Sequence, residues 1–185
     1  MTSGIEIVRF ASRPPKPWAN GGGSTRVLVD DADEGREWTY RVSVADLSGY
    51  QPFSRFEGIE RHLTFLGPGS LRMTVNGIER TLDRWQEIRF LGEDAVASEP
   101  SEPTARDLNV MVRRSARTVT VTPTAGVSII SPQAGSATIW IALEPYAVLE
   151  KQRVSELDLA VIGGSSPVTV DGKGILCEIR TRESV

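Results

Sequence analysis

The chain has 185 residues, 39% hydrophobic and 24% charged, which suits one globular domain or two small halves and excludes a disordered chain. Its 21 Lys and Arg against 24 Asp and Glu leave a formal charge of −3, a poor balance for a general nucleic-acid binder. A single cysteine, Cys177, and a single histidine, His62, exclude an intrachain disulfide framework, a multi-histidine metal centre and a cysteine cluster.

Along the chain the recurring signal is short alternation rather than helical periodicity. Ile5 and Ile7 flank Glu6, and a short strand is predicted over 26–30. Over 37–45, Trp38, Tyr40, Val42 and Val44 share one face, and Thr39, Arg41 and Ser43 share the other. After a strand near 61–67, Leu71, Met73 and Val75 alternate with Arg72, Thr74 and Asn76, and Asn76-Gly77 marks a hairpin turn. Further strands are predicted near 86–91, 95–98, 107–113, 117–122, 127–131, 137–143, 166–170 and 174–180, with a second tight turn at Asp171-Gly172. Residues 92–106, with Pro100 and Pro103 among acidic and small residues, read as an exposed loop between two strands. The one candidate helix is 150–159, weakened by Val154 and Ser155. Short strands punctuated by 17 glycines and 11 prolines make an all-β chain, a sandwich or barrel. A strand–glycine–strand–turn–strand pattern over 87–113 recurs over 158–180 and suggests a duplicated β unit.

Three segments concentrate residues suited to binding. At 17–26, three consecutive glycines permit either a tight turn into the next strand or a close approach of backbone N–H groups to an anion, without the spacing of a P-loop or a Rossmann fingerprint. In 38–61, Arg41 and Ser43 lie opposite the apolar face and either line a cavity or face water; arginine presents a fork of donors matched to carboxylates. Phe53 and Phe56 flank Ser54 and Arg55 in the same segment. In 106–114, Asp107, Asn109, Met111 and Arg113 share the face opposite Leu108, Val110 and Val112, a mixture of polar and soft apolar groups typical of pockets. His62 reads as a packed or surface residue rather than a catalyst, Cys177 as a buried small hydrophobe, and the acidic run DDADEG at 30–35 as a solvated loop. No GxSxG nucleophile elbow is present.

The segments PWANGGGSTR at 17–26, WTYRVSVADL at 38–47, PFSRFEGIER at 52–61, LGPGSLRMTVNG at 66–77 and RDLNVMVRR at 106–114 together resemble the HutD/Ves family of bacterial cupin-like proteins. The resemblance covers residues 1–115, and the remaining third matches in strand-and-turn pattern alone. It implies a bicupin, two jelly-roll β-barrel halves (1–115 and 116–185) in one compact unit, with strand exchange between the halves an option. It also implies a bacterial protein associated with histidine-utilisation operons, and a regulatory or small-ligand-binding role with formylglutamate or urocanate as candidate ligands. Ala19 stands where a lysine is common in the family, Glu57 where a proline is common, and His62 where another residue is usual. Metal-dependent cupins use a histidine cluster with a glutamate, which this composition cannot supply.

The combined expectation is an all-β, bicupin-like protein that uses no metal or cofactor and binds a small acidic metabolite. Arg41, Arg61 and Arg113 are the expected carboxylate partners; Asn20, Ser43, Ser54 and Asn109 orient the ligand; Trp18, Phe53 and Met111 form apolar walls. No catalytic residue is assigned. Two other readings stay open: a cofactor-free isomerase or hydrolase of a small carboxylate, with Asp46 or Asp107 as base and Glu57 or Glu60 as weaker options, and a protein-interaction module. With no apolar run near the ~20 residues of a membrane span and no secretory pattern in MTSGIEIVRF, a cytoplasmic location without membrane or nucleic-acid partners is expected. Homodimerisation through an open sheet edge is compatible with these features.

Overall fold

Period-two alternation broken by turn residues is what the backbone realises. The computed structural model describes residues 4–19 and 21–182; among them it contains nineteen strands and one 3₁₀ turn at Phe10–Ser12. No helix among the described residues is long and apolar enough to cross a membrane. The chain divides into two units, one of residues 14–116 and one of residues 4–13 with 117–182. Residues 4–13 thus belong with the C-terminal half rather than with the half they begin, because β1 (Ile5–Val8) pairs with β17 (Leu159–Ile162).

In the 14–116 unit the larger sheet runs β2 (Lys16–Pro17), β3 (Gly23–Asp30), β4 (Tyr40–Leu47), β11 (Ala105–Arg113), β6 (Ile59–Gly67), β9 (Glu87–Leu91). The smaller runs β5 (Gln51–Pro52), β10 (Val96–Pro100), β7 (Leu71–Val75), β8 (Ile78–Leu82). Ala45, Leu47, Leu63, Phe65 and Phe90 from the larger sheet form one core with Leu71, Met73, Leu82 and Val96 from the smaller. Each of these side chains larger than alanine contributes about 1.5–3 kcal/mol on leaving water, before conformational entropy is counted. On β4 this core lies on the Arg41–Ser43–Ala45–Leu47 side, not on the Tyr40–Val42–Val44 side that the alternation makes conspicuous. Val42 and Val44 are buried as well, so β4 has no purely solvent-facing side.

The second unit repeats this strand order. Its larger sheet runs β1, β17, β14 (Ser136–Ala142), β19 (Gly174–Thr181), β12 (Arg117–Thr124). Its smaller sheet runs β13 (Val127–Ile130), β18 (Val168–Asp171), β15 (Ala147–Leu149), β16 (Gln152–Val154). The order β4-β11-β6-β9 recurs as β12-β19-β14-β17, and β5-β10-β7-β8 as β13-β18-β15-β16. The segments 87–113 and 158–180 hold β9 to β11 and β17 to β19. Trp140 occupies the core of this unit with Ala160, Ile162, Leu149, Val168 and Val170, and its indole N–H donates to Thr124 Oγ1 at 2.9 Å. The ring lies against Gly174, where a Cβ would come within 2.5 Å of it.

Two sequence expectations are corrected. Residues 150–159 form no helix: Glu150 (φ 54°) and Leu157 (φ 66°) take left-handed backbone, and Leu149 and Val154 point into the core from the β15–β16 hairpin. Residues 92–106 are not one exposed loop. β10 lies inside them, where a strand is predicted near 95–98; it pairs with β7 and buries Val96, Ser98 and Pro100 on alternate positions.

Candidate functional site: a charged cavity in the 14–116 unit

A cavity of about 640 Å³ opens on the core side of the larger sheet of the 14–116 unit. Its rim begins with the glycine run. Gly21 has φ 72° and donates its N–H to the Trp18 carbonyl at 3.0 Å, while the Trp18 N–H donates to Gly23 at 2.9 Å. A Cβ on Gly23 would lie 2.3 Å from the Asp46 carbonyl oxygen. The glycines therefore close a tight turn against β4 rather than form an anion nest. The turn sets Trp18 on the cavity wall, its indole N–H donating to Thr25 Oγ1 at 2.8 Å.

A bulge brings in the first charged pair. β3 and β4 pair as Val27↔Ser43 and then Val29↔Val42, leaving Leu28 as an extra residue. Thr25 and Val27 line the cavity, and the offset returns Asp30 to that side opposite Arg41. Arg41 Nε lies 3.5 Å from Asp30 Oδ2 without a hydrogen-bond partner, and the guanidinium stacks 4.6 Å from the Trp38 ring centroid. The acidic run is thus not a solvated loop throughout. Asp30 lines the cavity, and Asp31 accepts the backbone N–H groups of Thr39 and Tyr40 at 2.6 and 3.0 Å.

The floor is a three-residue relay. Arg61 on β6 donates to Asn109 Oδ1 at 2.6 Å, and Asn109 Nδ2 donates to Asp107 Oδ1. Arg61 is buried among aromatic rings, its guanidinium 4.7 Å from the centroid of Phe53, 5.1 Å from Phe90 and 5.8 Å from Phe56. Burial pulls its pKa down to about 10, with the charge of Asp107 acting the other way. Asp107 is 1% exposed, and burial pushes its carboxyl up to about 7 against the opposing effects of Arg61, Asn109 and a backbone hydrogen bond from Ala45. Arg61 Nε and Asp107 Oδ2 are both buried and have no hydrogen-bond partner.

Of the residues expected at the site, Trp18, Arg41, Ser43, Phe53, Ser54, Arg61, Asn109 and Met111 line this cavity. Asn20 lies outside the described residues. Arg113 is not a lining residue: at the last position of β11 its side chain turns to Glu37, 2.8 Å away. Among the candidate bases only Asp107 lines the cavity. Asp46 is bound by Arg26, Arg106 and Ser24, and Glu60 by His62 and Arg89. His62 is buried on the β6 face opposite Arg61, its ring nitrogens 2.5 Å from Glu87 and 2.9 Å from Glu60. The sequence reading missed Thr25, Asp30 and Phe56 as cavity residues, and assigned Asp107 to the site only as a base. Among the described residues no three His, Cys, Asp or Glu side chains gather closely enough to hold a metal ion, so the donor set does not fit the metal centre of metal-dependent cupins.

Paired antiparallel sheets around such a cavity define an all-β protein of the cupin fold. The chain is similar to a Cupin 2 conserved barrel domain protein from Leptotrichia buccalis (TM-score 0.61, 8% identity, 98% of each chain covered). It is also similar to HutD from Pseudomonas fluorescens SBW25 (TM-score 0.88, 24% identity, 97% of this chain and 100% of that one). The HutD family model matches residues 11–177, and the chain belongs to that family. Protein Ves of Citrobacter koseri is 37% identical over 112 residues, 60% of this chain and 59% of that protein. An uncharacterised 21.2 kDa protein in the hutC 3′ region of Pseudomonas putida is 32% identical over 111 residues, 59% of this chain and 58% of that protein. The matched stretch therefore spans about three fifths of the length of these curated relatives.

Proposed function

We propose that the protein binds a small acidic metabolite in the 14–116 cavity and serves as a regulatory or accessory protein in the cytoplasmic breakdown of histidine or related amino acids. In this reading the two units are the jelly-roll barrel halves of a bicupin, one carrying the ligand and the other serving as its structural counterpart. The observation that carries the reading is Arg61, a buried guanidinium with an unpartnered Nε, beside Arg41, whose Nε faces Asp30 without a hydrogen bond, in a cavity walled by Trp18, Phe53 and Met111. A cation is retained in an apolar interior at a cost that an incoming carboxylate offsets. Two charge-assisted hydrogen bonds of about 1.5–3 kcal/mol each, with about 100 Å² of apolar burial adding roughly 2.5 kcal/mol, reach the range between millimolar and micromolar affinity. The place of the Pseudomonas putida relative in a hutC 3′ region supports a link to histidine utilisation, and formylglutamate and urocanate are the first acids to test.

The test is thermal unfolding of the purified chain with formylglutamate, urocanate, histidine, glutamate and inorganic phosphate. A ligand that binds the folded state alone raises the unfolding midpoint with dose. The expected result is such a rise with at least one carboxylate, lost in Arg61→Met. A flat response to every acid refutes the reading.

A further inference from the structure

The relay Arg61–Asn109–Asp107 ends in two atoms that the protein itself does not satisfy. Asn109 spends its carbonyl oxygen on Arg61 and its amide N–H on Asp107 Oδ1, so the cation and the carboxylate communicate through an amide. What remains is a donor at Arg61 Nε and an acceptor at Asp107 Oδ2, both buried and both on lining residues of one cavity. An unmet buried polar atom costs about 1–3 kcal/mol, and native structures keep few of them without a purpose. Asp30, the other lining carboxylate, faces Arg41 and accepts the Ala32 N–H at 3.3 Å. Asp107 is therefore the acceptor held in reserve.

A bare carboxylate completes Arg61 and leaves Asp107 Oδ2 facing another oxygen. An acid that carries an N–H or O–H group near its carboxylate completes both. We propose that Asp107 reads this donor, so that the cavity selects amino, acylamino or hydroxy acids over carboxylates lacking one; the inference rests on the acid-binding reading of the cavity. Burial favours the protonated Asp107 in the empty site, and a donor on the ligand supplies what the ionised form needs. Sites built around a buried hydrogen-bonding group discriminate strongly against the analogue that lacks its partner.

The experiment is calorimetric titration of the full chain with two matched series: propionate, lactate and alanine, and glutarate, 2-hydroxyglutarate and glutamate. Within at least one series the donor-bearing acid is expected to bind about 10-fold or more tightly than its bare counterpart. Asp107→Leu is expected to bring the matched acids within about 3-fold of each other. Asp107→Asn provides a second variant should the leucine variant fail to fold, with the same narrowing expected. Equal affinities within both series, or a preference that survives both substitutions, overturn the inference and leave the acid-binding reading standing. Absence of binding by every acid in both series, with formylglutamate and urocanate also silent, refutes that reading and this inference with it.

Discussion

On β14 the unit of residues 4–13 and 117–182 carries the indole of Trp140; on β6 the 14–116 unit carries the guanidinium of Arg61. β14 and β6 hold the same place in the shared strand order, each between the last strand of its unit and a strand near the sheet edge. Trp140 is 1% exposed, its N–H is bonded to Thr124, and Gly174 gives its ring room. Arg61 is almost as buried, yet one of its donors is idle and the space beside it is a cavity of about 640 Å³. One topology thus supports two outcomes. The tryptophan core is closed around an indole whose N–H is satisfied; the arginine cavity is open and polar, with charged groups left for a guest. Filled interior marks scaffold, and an unfilled interior with unmet polar atoms marks function.

The largest effect that would test this contrast is in the closed unit. Trp140→Ala should lower unfolding free energy by about 3–5 kcal/mol, measured by denaturant titration, because the indole leaves a void that its neighbours fill only in part. In the open unit the triple variant Arg61→Met/Asp107→Leu/Asn109→Leu, which leaves no orphaned amide in the relay, should keep or raise the denaturation midpoint while abolishing acid binding, since exchanging a whole buried polar network for apolar groups of similar volume is often neutral or stabilising. A loss above about 1 kcal/mol in that triple variant would make the relay structural and erase the distinction between the units. Gly174→Ala should cost about 1–3 kcal/mol through its clash with the Trp140 ring, seen as a lowered melting temperature.

A pH titration of stability sharpens the comparison further. Asp107 binds its proton more tightly when folded, with a value of about 7 against the ordinary 3.8. Its contribution is complete below 3.8 and is lost as pH rises through about 7, so stability from this group declines across that window. Asp107→Asn should flatten the decline, and the gap between variant and parent should widen from about pH 4 to 7 and then stay constant. A smaller effect of the same sign belongs to His62. Burial opposes its charge, but the Glu87 and Glu60 carboxylates outweigh burial and raise its pKa above 6.5. Its contribution is intact below 6.5 and fades as pH climbs through the folded value, so His62→Gln should remove a shallow slope on the alkaline side.

Much of this was legible in the chain before its fold. Alternation and turn residues located most strands, and eight of the site residues expected from the three polar segments line the cavity, Arg41, Arg61 and Asn109 among them. What escaped has identifiable physical causes. The strand Val96–Pro100 is legible only as far as 98, and the loop expected over 92–106 overlaps it, because its inward positions include Ser98 and Pro100, which do not advertise burial. Asp30 reads as solvated because it opens the acidic run at 30–35, and nothing in the sequence announces the bulge that returns it to the side of Thr25 and Val27. Arg113 shares parity with Asn109 and Met111, but parity does not say that β11 ends there and frees the side chain for Glu37.

The bulge at Leu28 means that the charge inside the cavity depends on spacing as well as on chemistry. Asp30 stands three places after Val27, an offset that a regular strand sends to the opposite side, and the extra residue, not the identity of any residue between them, brings the carboxylate back to the cavity. An uninterrupted ladder of the same length would pair Val29 with Arg41 and deliver Asp30 outward, leaving Arg41 without its counter-charge although every polar residue of the site was still encoded. Substitution tables are blind to such a change; the register of β3 against β4 is the place to look for relatives whose cavities carry a different net charge.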